Sequence, residues 1–120
     1  MDYGNLIHEM MLEHLRKQLG RDYKEVSINR PGEKKVEYKG HYPDMILGNY
    51  GMVLAIVEVE TAESISEKKA GDWETLSKLG AKLILMVPKN MKVRVTDLLW
   101  GKGIMDKVSI GTYEIVVNMP

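Results

Sequence analysis

Leu6, Ile7, Met10, Met11, Leu15 and Leu19 recur at three- and four-residue spacing, the period of a helix with one buried face. The spacing predicts a helix over residues 5–19, stopped at Gly20. Beyond it the period falls to two. Val26 and Ile28 alternate with Glu25, Ser27 and Asn29, which predicts a half-buried strand. Asn29-Arg30-Pro31-Gly32 reads as a turn. Val36 and Tyr38 alternate with Lys35, Glu37 and Lys39, which predicts a second strand, broken by Gly40-His41-Tyr42-Pro43. Residues 44–47 read as a short strand, turned back through Gly48-Asn49-Tyr50-Gly51 into a strand over 52–60. From Met52 to Val57 that strand is apolar throughout, the pattern of a strand covered on both faces.

In the second half, Ser64-Ile65-Ser66-Glu67 matches a capping box, with Ser64 as N-cap. A helix is expected from there to about residue 79, with Gly80 at its C′ position. Residues 81–87 form another strongly apolar strand, closed by Pro88. Strand, helix and buried strand make a βαβ crossover, so the two strands should run parallel, with a right-handed connection. Asn90 is the expected cap of a further helix lined by Met91, Val95, Leu98 and Leu99 and ended by Gly101. Residues 108–117 read as a final strand or hairpin, with a bulge at Gly111. The expected order is αβββαβαβ, a three-layer α/β domain with a mixed sheet spanning residues 1–120.

Composition narrows the function. The 120 residues suffice for one domain with a modest core. Cysteine is absent, which excludes disulfides and thiolate zinc sites and suits a reducing cytosol. No stretch approaches the ~18 apolar residues of a membrane span, and the N-terminus lacks the features of a signal peptide. Lys+Arg and Asp+Glu both number 17, and zero net charge argues against indiscriminate nucleic-acid binding. With no Phe and nine Met, Met, Leu, Ile and Val must fill the core.

The candidate chemistry lies where the apolar run ends in Glu58-Val59-Glu60. The two glutamates are two residues apart on a strand and so share a face. The hairpin brings Asp44, after Pro43, opposite residues 55–58, within cross-strand reach. Acids on a buried strand are costly unless paired or bound to a cation. Oxygen-rich clusters are what Mg²⁺ and Mn²⁺ prefer, and such a site suits phosphodiester hydrolysis. Exposed strand-end acids are the plainer alternative. His41 beside Pro43-Asp44 reads as a loop histidine, and His8 and His14 as packing or surface residues at the edge of the first helical stripe. Lys34, Lys35, Lys39, Lys68, Lys69, Lys89, Lys92 and Arg94 are candidates for a phosphate-contacting rim, although scattered surface lysines explain most of them. Trp73 and Trp100, at helical spacing beside leucines, read as core or interface residues rather than base-stacking platforms.

Pro43-Asp44 followed by a strand ending in Glu58-Val59 resembles the PD-(D/E)XK nuclease superfamily, and the flanking segments fit its αβββαβ core. In outline the chain resembles small Holliday-junction resolvases and RecB-type nuclease domains. The resemblance implies a restriction-endonuclease-like fold and metal-dependent cleavage of DNA, with Asp44, Glu58 and a carbonyl near Val59 as ligands of Mg²⁺ or Mn²⁺. It also implies a homodimer that offers two sites to two strands, and the cysteine-free composition suits a cytoplasmic location. The chain departs from the motif at Glu60, which occupies the Lys position. Glu60 then serves as a further ligand or as a base that orients water. The missing cation is sought on the following helix, where Lys68 and Lys69 are candidates and Lys69 shares the side of Ile65 and Trp73. A Glu on the first helix, Glu9 or Glu13, is the implied further ligand.

Overall fold

A computed structural model describes residues 3–115. Helix α1 (Tyr3–Leu19) precedes strands β1 (Glu25–Ile28), β2 (Met45–Asn49) and β3 (Met52–Val59). Helix α2 (Glu67–Ser77), strand β4 (Lys82–Pro88), helix α3 (Lys92–Lys102) and strand β5 (Val108–Tyr113) follow among the described residues. The five strands lie in one sheet in sequence order. β1, β2 and β3 are antiparallel to one another, whereas β3, β4 and β5 are parallel, as the crossovers through α2 and α3 require. The described residues are thus α/β, with a five-stranded mixed sheet and three α-helices.

Alternation along the strands builds two cores. Met45, Leu47, Ala55, Val57 and Val59 meet Leu12 and Leu15 of α1 on one face. Ile46, Ile56, Leu83, Leu85 and Val87 meet Trp73, Leu76, Val95, Leu98 and Leu99 on the other. At about 25 cal/mol per Å² of apolar surface removed from water, these two layers are the main stabilising term. The stripe on α1 is rotated from its expected centre. Leu6 and Met10 are 44% and 54% exposed, whereas Leu12 and Leu15 are buried.

The hairpin contains a device that positions the acids. Tyr50 and Gly51 have φ of 54° and 78°, the paired positive values of a type I′ turn. From that turn Asn49 pairs with Met52 and Gly48 with Val53, but Leu47 then pairs with Ala55. Leu54 is therefore an extra residue in β3, a β-bulge. It shifts the register by one, so that Met45 faces Val57 and Asp44 comes opposite Glu58. Without the bulge Asp44 would face Val57 and lie on the other side of the sheet from Glu58, since side chains alternate. Gly48 makes the bulge possible: a Cβ there would lie 2.4 Å from the Met52 carbonyl oxygen.

Several sequence expectations are corrected. Among the described residues the three strands that the expected order places before α2 are β1, β2 and β3; residues 35–39 are not a strand. Their backbone is taken instead by Asn29, a buried side chain. Its Oδ1 accepts from the amides of Lys35 and Val36, and its Nδ2 donates to the carbonyls of Val36 and Pro43. Such side-chain bonds compete directly with a strand ladder. The turn expected at residues 29–32 is displaced by one, with Glu33 N–H donating to the Arg30 carbonyl. Ser64 is not the N-cap of α2. That role falls to Ser66, whose hydroxyl accepts from Lys69 N–H. α3 begins after a 3₁₀ turn (Lys89–Met91) that contains Asn90, so Asn90 does not cap it. The helix runs through Gly101 and ends at Gly103, whose φ of 71° is left-handed, as a C-terminal glycine allows. β5 pairs regularly with β4 through Gly111, so no bulge forms there. The glycine instead makes room for the Met86 side chain. The last residues of the expected final strand, 116 and 117, lie outside the described residues.

Candidate active site at the end of the sheet

The ends of β2 and β3 meet the start of α2 and the first turns of α1 around an open cavity of about 460 Å³. Asp44, Glu58, Val59, Glu60 and Lys69 all line it, together with Gly4, Asn5 and His8 of α1. Four expected side chains, Asp44, Glu58, Glu60 and Lys69, thus converge from two strands and one helix. Glu9 does not join them. It is exposed on α1, and Glu13 pairs with Arg30 at 2.6 Å. Lys68 is likewise exposed. Lys39 donates to the Leu79 carbonyl and Lys89 pairs with Glu114, so these two amines are engaged within the fold.

Asp44 and Glu58 are cross-linked through the backbone. Asp44 N–H donates to Glu58 Oε2 at 3.1 Å, and Val59 N–H donates to Asp44 Oδ2 at 2.8 Å. Burial, followed by the charge of Asp44 and a shared side-chain hydrogen bond with it, pushes the Glu58 carboxyl well above its usual range. The physical cause is the ordinary one: two carboxylates in an enclosed site resist ionising together. Among the described residues, no three His, Asp or Glu side chains stand arranged to hold a metal ion.

Glu60 is set differently. It is 2% exposed, and both carboxylate oxygens are occupied. Oε1 accepts from the Trp73 indole at 3.1 Å and lies 3.7 Å from Lys69 Nζ. Oε2 accepts from the Ser64 hydroxyl at 2.5 Å. Ser64 in turn closes a tight turn by accepting from Thr61 N–H, which explains why it is not available to cap α2. Burial raises the Glu60 pKa, opposed by Lys69, Ser64 and Trp73. For Lys69, burial disfavours the charged amine, but the charges of Glu60, Glu58, Asp44 and Asp72 outweigh it and its pKa is raised. The backbone carbonyl of Glu60 accepts from Tyr113 of β5.

His8 is the residue that the sequence reading misplaced. Its Nε2 lies 3.0 Å from Asp44 Oδ2. Burial works against the imidazolium, but the hydrogen bond and charge of Asp44, with the charge of Glu60, raise its pKa above 6.5. The signal was available: His8, Leu12 and Leu15 stand at i, i+4 and i+7, one stripe of the helix. His41 lines a smaller neighbouring cavity that shares Tyr42, Glu58 and Lys69 with the first. His14 is exposed. Trp73 is fully buried and Trp100 is 68% exposed.

Comparison with known proteins gives no match: no protein-family model, no curated protein and no solved structure is significantly similar to the chain. Its functional reading therefore rests on its own residues. No helix among those described is long and apolar enough to cross a membrane.

Proposed function

We propose that the chain is a small metal-dependent nuclease of PD-(D/E)XK type that hydrolyses DNA phosphodiester bonds, with a restriction-endonuclease-like core. The observation that carries this reading is the meeting of Asp44 and Glu58, from paired strands, with the Lys69 amine of the following helix in one cavity. The order α1-β1-β2-β3-α2-β4 supports this reading, since the resemblance implies an αβββαβ core. Asp44 and Glu58 fit Mg²⁺ or Mn²⁺ in kind, since Mg²⁺ is commonly held by one or two carboxylates with water completing its shell. A bound dication would offset the repulsion between the two carboxylates. The Val59 carbonyl is the third proposed ligand. A bound cation would supply Lewis-acid stabilisation of phosphate charge and a more acidic water. Lys69 replaces the motif Lys displaced by Glu60, as an ammonium directed at developing negative charge. Cytoplasmic location and a homodimer acting on two strands complete the proposal.

A non-catalytic protein that keeps this fold for nucleic-acid or protein binding is the second reading. Two observations favour it: Glu60 is bound on both oxygens by protein groups, and Asp44 is engaged by His8. Incubation of single-stranded, duplex and branched DNA with Mg²⁺ or Mn²⁺ separates the two. The nuclease reading predicts cleavage by wild type, none by Asp44→Asn and slower cleavage by Lys69→Met. Mn²⁺ binding without cleavage of any substrate would favour the binding protein.

A further inference from the structure

The sequence offers Glu60 two roles, ligand or base, and its surroundings fit neither. A ligand for a hard cation needs a carboxylate oxygen turned towards the cation. A base needs one within hydrogen-bond reach of water. Glu60 is as enclosed as the core, and its oxygens face an indole N–H, a serine hydroxyl and an ammonium. Its backbone is equally fixed: the N–H donates to Met86 of β4 and the carbonyl accepts from Tyr113 of β5. This residue ties three parallel strands to α2. Lys69 differs, being one-third exposed and lining both the main cavity and its neighbour. Lysine has a long, flexible stem whose amine takes many positions unless something holds it.

We propose that Glu60 is a positioning residue: a buried, immobile carboxylate that fixes the Lys69 ammonium beside Asp44 and Glu58 and does not itself bind the cation. The proposal rests on the nuclease reading for its catalytic meaning, but the contact it describes stands apart from that reading. A motif lysine on β3 would approach the acids from the strand itself. Here the amine comes from α2, and the acid at the vacated position is the group that holds it. Trp73 and Ser64 support the arrangement by satisfying the remaining lone pairs of Glu60, as a buried charge requires. Ser66 contributes by starting α2 where its hydroxyl receives the Lys69 amide, which fixes the backbone from which the amine extends.

Three measurements test this. Trp73 and Lys69 share Oε1 of Glu60, so Lys69→Met should move the buried Trp73 indole resonance in ¹H–¹⁵N spectra, and Lys69→Arg should restore most of it. An unmoved Trp73 resonance in Lys69→Met overturns the proposal. This arm needs neither metal nor activity, and its variants alter a partly exposed side chain, so it decides even if Glu60→Gln does not fold. In Mn²⁺ titrations Glu60→Gln should bind within threefold of wild type, whereas Asp44→Asn should lose tenfold or more. An equal loss in both variants would make Glu60 a ligand and end the proposal. In cleavage assays Glu60→Gln and Lys69→Met should each lower kcat with little change in KM, and the double variant should be no worse than the poorer single one. Additive losses contradict action through Lys69. If wild type neither binds Mn²⁺ nor cleaves DNA, the nuclease reading fails, and the Trp73 resonance alone decides whether Glu60 holds Lys69.

Discussion

Ser64 and Ser66 stand two residues apart before α2, yet they stabilise the protein by different means, and substituting each with Ala separates them. Ser66 accepts one backbone N–H, that of Lys69. Ser66→Ala should therefore cost about 0.5–2 kcal/mol, the usual value of an N-cap. Ser64 donates to the buried carboxylate of Glu60 and accepts from Thr61 N–H. A hydrogen bond to a charged group contributes about 1.5–3 kcal/mol net, so Ser64→Ala should cost more than Ser66→Ala near pH 7. At roughly 4 °C per kcal/mol for a domain of this size, the two melting temperatures should be distinguishable. The pH dependence is the sharper signature. Ser64 lowers the pKa of Glu60 relative to a variant without it. Its contribution is therefore full above the higher pKa that Glu60 has in the variant, and falls towards that of a neutral hydrogen bond as pH drops through the folded pKa of wild type. Burial raises that pKa above the ordinary 4.5, so urea melts at pH 7 and pH 4 compare the more ionised carboxylate with the less ionised one. A Ser64→Ala loss that is the same at both pH values, or smaller than that of Ser66→Ala at pH 7, would refute the assignment of Ser64 to Glu60.

Two further substitutions probe the geometry of the acids. Glu58→Gln should stabilise the metal-free protein at neutral pH. The folded pKa of Glu58 is raised, so the wild-type protein loses stability as pH rises from the ordinary value of 4.5 through the folded pKa, and the advantage of Gln should vanish in acid melts. A Gln variant less stable than wild type at pH 7 would show that the carboxylate is not strained by its surroundings. Gly48→Ala forces a Cβ against the Met52 carbonyl and should cost about 1–3 kcal/mol by overpacking in urea melts, whereas a neutral outcome would show that the bulge does not depend on the glycine.

Periodicity disclosed much of this fold because most strands bury one or both faces cleanly. The apolar runs of β3 and β4 required a covered sheet, and the crossover between them required parallel pairing. Elements were lost where a single side chain overrode the local pattern. Val36 and Tyr38 alternate as a strand would, but Asn29 captures the backbone they would have offered to a neighbour. Ser64 fits a capping box, but a buried carboxylate four residues earlier takes its hydroxyl. At the site, Asp44 and Glu58 were legible from the hairpin and the strand period, whereas Lys69 was named through the family resemblance. The bulge at Leu54 that brings Asp44 into line with Glu58 was not legible, because register depends on a local fit at Gly48 that no pattern of polarity records. His8 was hidden by the choice of stripe: exposed Leu6 and Met10 drew the centre of α1 away from Leu12 and Leu15, and with it from the histidine on their face.

The central claim is that Asp44 and Glu58 form a cation site. Thermal unfolding of wild type and Asp44→Asn, with and without Mn²⁺, tests it most directly, because a ligand that binds only the folded state must stabilise it. Wild type should gain about 2.7 kcal/mol when Mn²⁺ is at one hundred times its dissociation constant, and Asp44→Asn should gain little at the same concentration. No gain in wild type, or an equal gain in both proteins, would contradict the claim.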